Sequence, residues 1–419
     1  MTALSRVRVV APMTLLALLG TTAFAAEPQR WVGTWGASPQ PVWGADFVLP
    51  VGVPRALNDQ TVRQVARVSL GGHQLRVTVS NEYGDRPLTI GAAAVALAKV
   101  DGTVTGTAVP LTFGGQAGVT VPPGAPMVSD PVALEVPALG SVAVDLYFPG
   151  ITPVTTWHFE GVQTASVGAG NQAGSVALKA TATVPSRMFL SGIAVDAPEA
   201  ARAFVTFGDS ITDGTASTPD TDRRWPDVLA ERLAAAKLPV AVVNEGISGA
   251  RILSDRMGDN ALARLDRDVL SQPGVRTVVL MMGINDIGWP DTSLVPAGEA
   301  APSADAVIEG YRQIAARAHG RGLRILGATL TPFEGALSNT PIKGYYSPEK
   351  EAKRQAINTF VRTGGVFDGV VDFDAVARDK DNPARLQAAF DSGDHLHPND
   401  AGYKAMGEAV DLALVAGPN

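Results

Sequence analysis

A parallel α/β domain preceded by an all-β sandwich of jelly-roll type is the fold class that three observations predict. From Ala26 to about Ala200 apolar residues recur with period two, and glycine and proline supply the punctuation. Near residues 197–201 the pattern changes to apolar strand-like runs alternating with segments of helical period, as in a sheet covered by helices on both faces. The 419 residues also exceed the usual size of one domain, so a β-sandwich over 26–199 and an α/β domain over 200–419 are expected.

Ahead of both, Arg6 and Arg8 precede an apolar stretch at 9–19, and Ala23-Phe24-Ala25 offers a small-x-small cleavage site. Residues 1–25 therefore read as a secretory signal peptide cut after Ala25, which predicts a secreted or periplasmic protein. No later stretch approaches ~18 uninterrupted apolar residues, so stable membrane insertion is not expected. Apolar residues at 46% and charged residues at 18% describe an ordinary globular chain. A net charge of −7 without a block of like charges argues against a nucleic-acid partner. With no cysteine, disulfides, thiolate metal sites and a cysteine nucleophile are excluded.

In the first half, Ala66, Val68 and Leu70 alternate with Arg67 and Ser69, Gly71-Gly72 follows, and Leu75, Val77 and Val79 alternate with Arg76 and Thr78. Two alternating runs around Gly-Gly predict a β-hairpin. Val142, Val144, Leu146 and Phe148 repeat the signature, and Pro122, Pro123 and Pro126 exclude a long helix between them. Trp31, Trp35 and Trp43 are expected as core anchors rather than a sugar platform. His73 is expected in a solvated turn, His158 as a half-buried, satisfied histidine, and the glycine-rich segment 166–174 as a loop.

In the second half, strands are expected at 203–207, 240–244, 277–282, 324–328 and 369–373, and helices at 225–235, 304–318, 349–362 and 401–414. Ligands of open α/β sheets gather outside the carboxyl ends of the strands. Gly208-Asp209-Ser210 follows the first strand, Ile247-Ser248-Gly249 the second, Gly283-Ile284-Asn285-Asp286 the third and Thr331-Pro332-Phe333 the fourth.

A serine hydroxyl needs a base before it can act as a nucleophile. Of five histidines, His73 and His158 lie in the β-rich half and His319 ends a predicted helix, which leaves His395 and His397 in Asp394-His395-Leu396-His397-Pro398. Asp394 is close enough to His397 to hold an imidazole tautomer; the alternatives are a helix cap and a metal site on Asp394, His395 and His397. The backbone N–H groups of Ser210 and Gly249 and the Asn285 amide are candidate donors to an oxyanion, though each has a structural alternative as turn, cap or strand end. Residues 331–346 are expected to overhang the site, so Phe333, Tyr345 and Tyr346, together with Asp209, are candidate substrate-binding residues; packing aromatics are the alternative.

Gly208-Asp209-Ser210-Ile211-Thr212, Asn244 through Gly249, Gly283-Ile284-Asn285-Asp286 and Asp394-His395-Leu396-His397 occur in order, and over about 201–414 the chain resembles the SGNH hydrolases, the GDSL-type esterases and lipases. Isoleucine replaces leucine in the first block, a neutral exchange. The resemblance implies an SGNH-type, flavodoxin-like sheet, with Ser210 as nucleophile, His397 as base, Asp394 as orienting acid, and Ser210, Gly249 and Asn285 around the oxyanion. It implies a serine esterase without metal or organic cofactor, whose partner is a small-molecule or polysaccharide ester. Acetyl or short-chain esters on carbohydrate come first, and lipase, lysophospholipase or aryl esterase activity next. The alternative from another class is a glycan-binding protein on an inactive hydrolase scaffold. The chain has no G-x-S-x-G elbow, phosphate-binding G-x-x-x-x-G-K-[ST] or zinc-binding H-E-x-x-H.

Overall fold

The structure, a computed structural model, describes residues 30–417. The expected signal peptide lies outside the described residues.

Five parallel strands, β1 (Arg202–Gly208), β2 (Val240–Gly246), β3 (Val275–Met281), β4 (Arg324–Ala328) and β5 (Gly369–Val371), run in the order β2-β1-β3-β4-β5. Their apolar runs are nearly continuous because both faces are covered. On one face Phe204, Val242 and Val279 pack under Trp225, Leu229 and Leu233 of α1 (Trp225–Ala235) and Tyr403 and Met406 of α4 (Asp400–Ala409). On the other, Val205, Phe207, Val278 and Ile325 meet α2 (Ala304–Gly320) and α3 (Pro348–Thr363) through Val307, Tyr311, Ile314 and Ile357. Ser303, Ser347 and Asn399 each accept a hydrogen bond from the first turn of the helix they precede, which sets where α2, α3 and α4 begin. Strand order reverses between β1 and β3, and a crevice at such a switch point is where this architecture binds ligands.

Two expected boundaries shift. The helix expected at 401–414 is two helices, because Val410 turns extended and Asp411 caps a second helix, Leu412–Ala416. The last strand stops at Val371, since Asp372 caps the short helix Phe373–Ala377.

The first half forms two large antiparallel sheets that close on a shared core, with three sheets of two or three short strands beside them. Trp31–Gly36, Leu190–Asp196, Gly72–Ser80, Pro126–Val128 and Val132–Val136 make one; Ala180–Val184, Ala165–Ala169, Gln60–Arg67, Ser141–Phe148, Ala92–Leu97 and Val109–Pro110 make the other. The expected hairpin does not exist. Gln60–Arg67 pairs with Ser141–Phe148 and Ala165–Ala169, whereas Gly72–Ser80 pairs with Leu190–Asp196 in the opposite sheet. Alternation reports which face is buried, not which strand is the neighbour. Val62 and Ala66 face Leu75, Val77 and Val79 across the core, and the Gly-Gly connection crosses between sheets. His73 is exposed but lies within the Gly72–Ser80 strand, and the segment expected as a loop at 166–174 begins inside the Ala165–Ala169 strand.

The last antiparallel strand ends at Asp196 and the first parallel one starts at Arg202, but the core does not divide there. Val32, Trp43, Phe47 and Trp157 share one apolar cluster with Ala203, Val205, Phe207 and Val243. Trp43 is thus a buried anchor, edge-on to Phe47 and Trp157, while Trp31 and Trp35 are half-buried under the guanidinium groups of Arg76 and Arg187. Polar contacts cross the seam as well. The N–H of Val242, on edge strand β2, donates to Ser69 Oγ at 2.9 Å, and the Gly33 N–H donates to Pro273 O at 2.8 Å. The Ser69 contact occupies an edge that would otherwise offer an unpaired backbone group there.

Gly36 marks the tightest point of the seam: a Cβ there would lie 2.1 Å from Glu245 Oε1 and 2.7 Å from a Val243 methyl. Gly36→Ala is expected to cost about 1–3 kcal/mol of stability, as overpacking does. Calorimetric melting checks it, and an unchanged midpoint would mean that the strand can slide outward freely.

Candidate active site

Strand β1 delivers Gly208 to the carboxyl edge of the sheet, where the chain turns into the single helical turn Ser210–Asp213. Asp209 caps that turn, its Oδ1 accepting the Ile211 N–H at 3.1 Å, and Ser210 stands at its first position. From the far end of the chain, His397 Nε2 comes to 2.9 Å from Ser210 Oγ, and His397 Nδ1 lies 2.6 Å from Asp394 Oδ2. Asp394 Oδ1 accepts the N–H groups of Leu396 and His397, so the carboxylate also holds the loop that carries the imidazole. Burial raises the Asp394 carboxyl, but the His397 ring and these two N–H donors outweigh it and hold the group well below the usual carboxylate range. An ionised Asp394 keeps a proton on Nδ1 and leaves Nε2 free to take one from Ser210. His395 points elsewhere, its Nδ1 2.5 Å from Asp391 Oδ2.

Donors stand opposite. The backbone N–H groups of Ser210 and Gly249 have no acceptor among the described residues. Gly249 has φ +75°, and a Cβ would sit 2.3 Å from Met257 Sδ and 2.7 Å from the Trp289 ring, so only glycine fits. Asn285, in the turn after β3, gives one amide proton to Ala250 O at 3.0 Å while its Oδ1 accepts the Tyr345 O–H at 2.7 Å. Those bonds fix which way the amide faces and leave its second proton available.

These groups border a cavity of about 240 Å³. Its remaining walls are mainly apolar, with Met257, Trp289, Leu294, Leu337 and Ile342 from the α/β half and Leu49, Phe159 and Glu160 from the β-rich half. Of the candidate substrate-binding residues, only Tyr345 borders this space. Asp209 is fully buried as a helix cap, Phe333 is fully buried edge-on to Tyr345 and Tyr346, and Tyr346 packs on the outer side of Phe333. Residues 331–346 therefore fold onto themselves through an aromatic cluster instead of presenting every ring to the site.

His158, from the β-rich half, is buried, with Nε2 3.0 Å from Asp213 Oδ1 and Nδ1 3.1 Å from Ser38 O. Asp213 Oδ2 accepts the Ser248 N–H at 2.9 Å, so the histidine braces the loop that ends in Gly249. Sequence reasoning missed Leu49, Phe159, Glu160 and this brace. Their spacing to the four motifs carries no signal, because the contact forms only when the halves dock.

Residues 206–405 match the model of the GDSL-like Lipase/Acylhydrolase family. The α/β half belongs to that family. Among solved structures, the chain is similar to a GDSL-like lipase from Bacteroides thetaiotaomicron (16% identity, covering 51% of this chain and 88% of that one, TM-score 0.37). It is also similar to the acetyl xylan esterase AlAXEase (21%, 49% and 96%, TM-score 0.38). A third is a carbohydrate acetylesterase from Sinorhizobium meliloti (18%, 51% and 99%, TM-score 0.36). No curated protein matches the sequence.

Membership in a hydrolase family makes the aim of the Asn285 amide a quantity that turnover can read. Tyr345→Phe removes the bond that orients it and is expected to lower kcat roughly three- to tenfold with KM nearly unchanged, the worth of one hydrogen bond. Steady-state kinetics on a soluble ester measures it. A second expectation concerns Asp209, whose carboxyl is raised by burial to about 7 and whose Oδ2 meets no partner. A raised carboxyl favours the folded state below its unfolded value, near 4, and loses that contribution as pH climbs through about 7. Asp209→Asn, which keeps the cap, should melt above the wild type at about pH 8.5 and lose that advantage near pH 5.

Proposed function

We propose that this protein is a serine esterase that works through an acyl-enzyme, with the leader at residues 1–25 directing it out of the cytoplasm. The alignment of Ser210 Oγ, His397 Nε2 and Asp394 Oδ2 carries the reading. Ser210 attacks the ester carbonyl as His397 takes its proton, and Asp394 stabilises the imidazolium that forms. The N–H groups of Ser210 and Gly249 and the amide of Asn285 take the charge on the former carbonyl oxygen. His397 then protonates the departing alcohol, water attacks the acyl-enzyme with His397 as base, and the acid leaves.

A cavity of about 240 Å³ suits an acyl group of a few carbons together with the first atoms of the alcohol. Short-chain esters of carbohydrate are the substrates we propose first. A second reading, aryl or lipid esters, draws on the apolar walls around Met257, Trp289 and Leu294.

Ser210→Ala is expected to lower ester turnover by at least about 10³-fold while leaving the melting temperature near that of the wild type. Nitrophenyl esters of graded chain length, run beside acetylated xylan, order the substrates. Acetate release from the polymer supports the first reading, and a rate that climbs with chain length replaces it by the second. Retention of glycan without turnover by the wild type would replace both with a binding protein.

A further inference from the structure

Glu160 borders the cavity from the β-rich half, and none of the steps above uses it. Its polar neighbours lead toward the loop that carries Gly249. The Thr215 hydroxyl donates to Glu160 Oε2 at 3.3 Å and lies 3.0 Å from Ser248 Oγ, and the Ser248 hydroxyl and N–H both donate to Asp213 Oδ2. Burial, and after it the charge of Asp213, push the Glu160 carboxyl above its ordinary range.

With Oε2 accepting from Thr215, Oε1 is the oxygen to which no described residue donates. Among the apolar walls of Leu49, Phe159 and Met257 it is an acceptor that a hydroxyl on the substrate can meet, and an unsubstituted acyl chain has no donor to give.

We propose that Glu160 is a specificity-determining residue that accepts through Oε1 a hydrogen bond from a hydroxyl on the alcohol side of the ester. The preferred substrates are then esters of polyols or sugars that keep a free hydroxyl close to the acyl group. The proposal rests on the esterase reading and deepens it by assigning the β-rich half a share in choosing the alcohol.

The test compares glycerol monobutyrate with propyl butyrate, which share an acyl group and differ in hydroxyls. The wild type is expected to favour the glycerol ester roughly three- to tenfold in kcat/KM, the range one such bond supplies. Glu160→Gln preserves the acceptor and donates an N–H to Thr215, so it should keep the preference. Glu160→Met has similar bulk without either function and should bring the ratio close to one. A wild type without preference, a methionine variant that keeps it, or a glutamine variant that loses it as methionine does would each overturn the assignment. The esterase reading fails by a separate result, a wild type that cleaves neither ester.

Discussion

A buried guanidinium holds the carboxyl edge of the sheet together. Arg264, without exposed side-chain surface, donates to Gly208 O at 3.0 Å and to Glu245 O at 2.9 Å, so it grips the carboxyl ends of β1 and β2 at once. Ser210 lies two residues beyond the first of these strands and Gly249 three residues beyond the second. The charge is balanced by Asp268 at 2.9 Å, and the guanidinium lies over the Phe207 ring at 4.3 Å. Asp268 is buried too, but Arg267 and Arg264 hold its carboxyl below the ordinary range, so the pair stays ionised. Removing one partner of such a pair leaves an uncompensated charge inside the protein, which is why it behaves as a constraint and not as one contact among many.

The same knot reaches the β-rich half. Arg264 also approaches Ser38 Oγ at 3.2 Å, and Ser38 donates to Glu245 at 2.5 Å. With His158 bracing Asp213, and Leu49, Phe159 and Glu160 walling the cavity, the first half takes part in the site on several sides. An independent module tethered by a linker would show none of this. Val32, Trp43 and Trp157 complete the core of the parallel sheet.

The parts legible in the sequence were those governed by local rules. The five parallel strands and the starts of α1 and α2 follow from apolar runs, capping residues and helical period. Ser210, Gly249 and Asn285 follow from motifs at strand ends, and Asp394 and His397 from a motif just ahead of α4. What stayed hidden depends on pairing at long range. The residues around Gly71-Gly72 have the correct alternation for a hairpin, yet their strands sit in opposite sheets because burial of a face does not name a neighbour. Tyr345 was visible as a candidate, but its bond to Asn285 was not, since nothing in the spacing of the two links a ring hydroxyl to an amide. Glu160 carried no motif at all.

The strand Trp31–Gly36 pairs with Leu190–Asp196, while His397 arrives from the loop ahead of α4. Ser210 and His397 stand 187 residues apart in sequence, and Trp31 pairs with Asp196, so partners that must meet are widely separated. Contacts of such wide sequence separation are slow to form, because loop-closure entropy is paid before the contacts reward it. During synthesis the β-rich half emerges first and carries one wall of a cavity that has no floor. Ser210 meets His397 only after the C-terminal segment docks, so the proposed triad is the last part of the site to close as the chain folds.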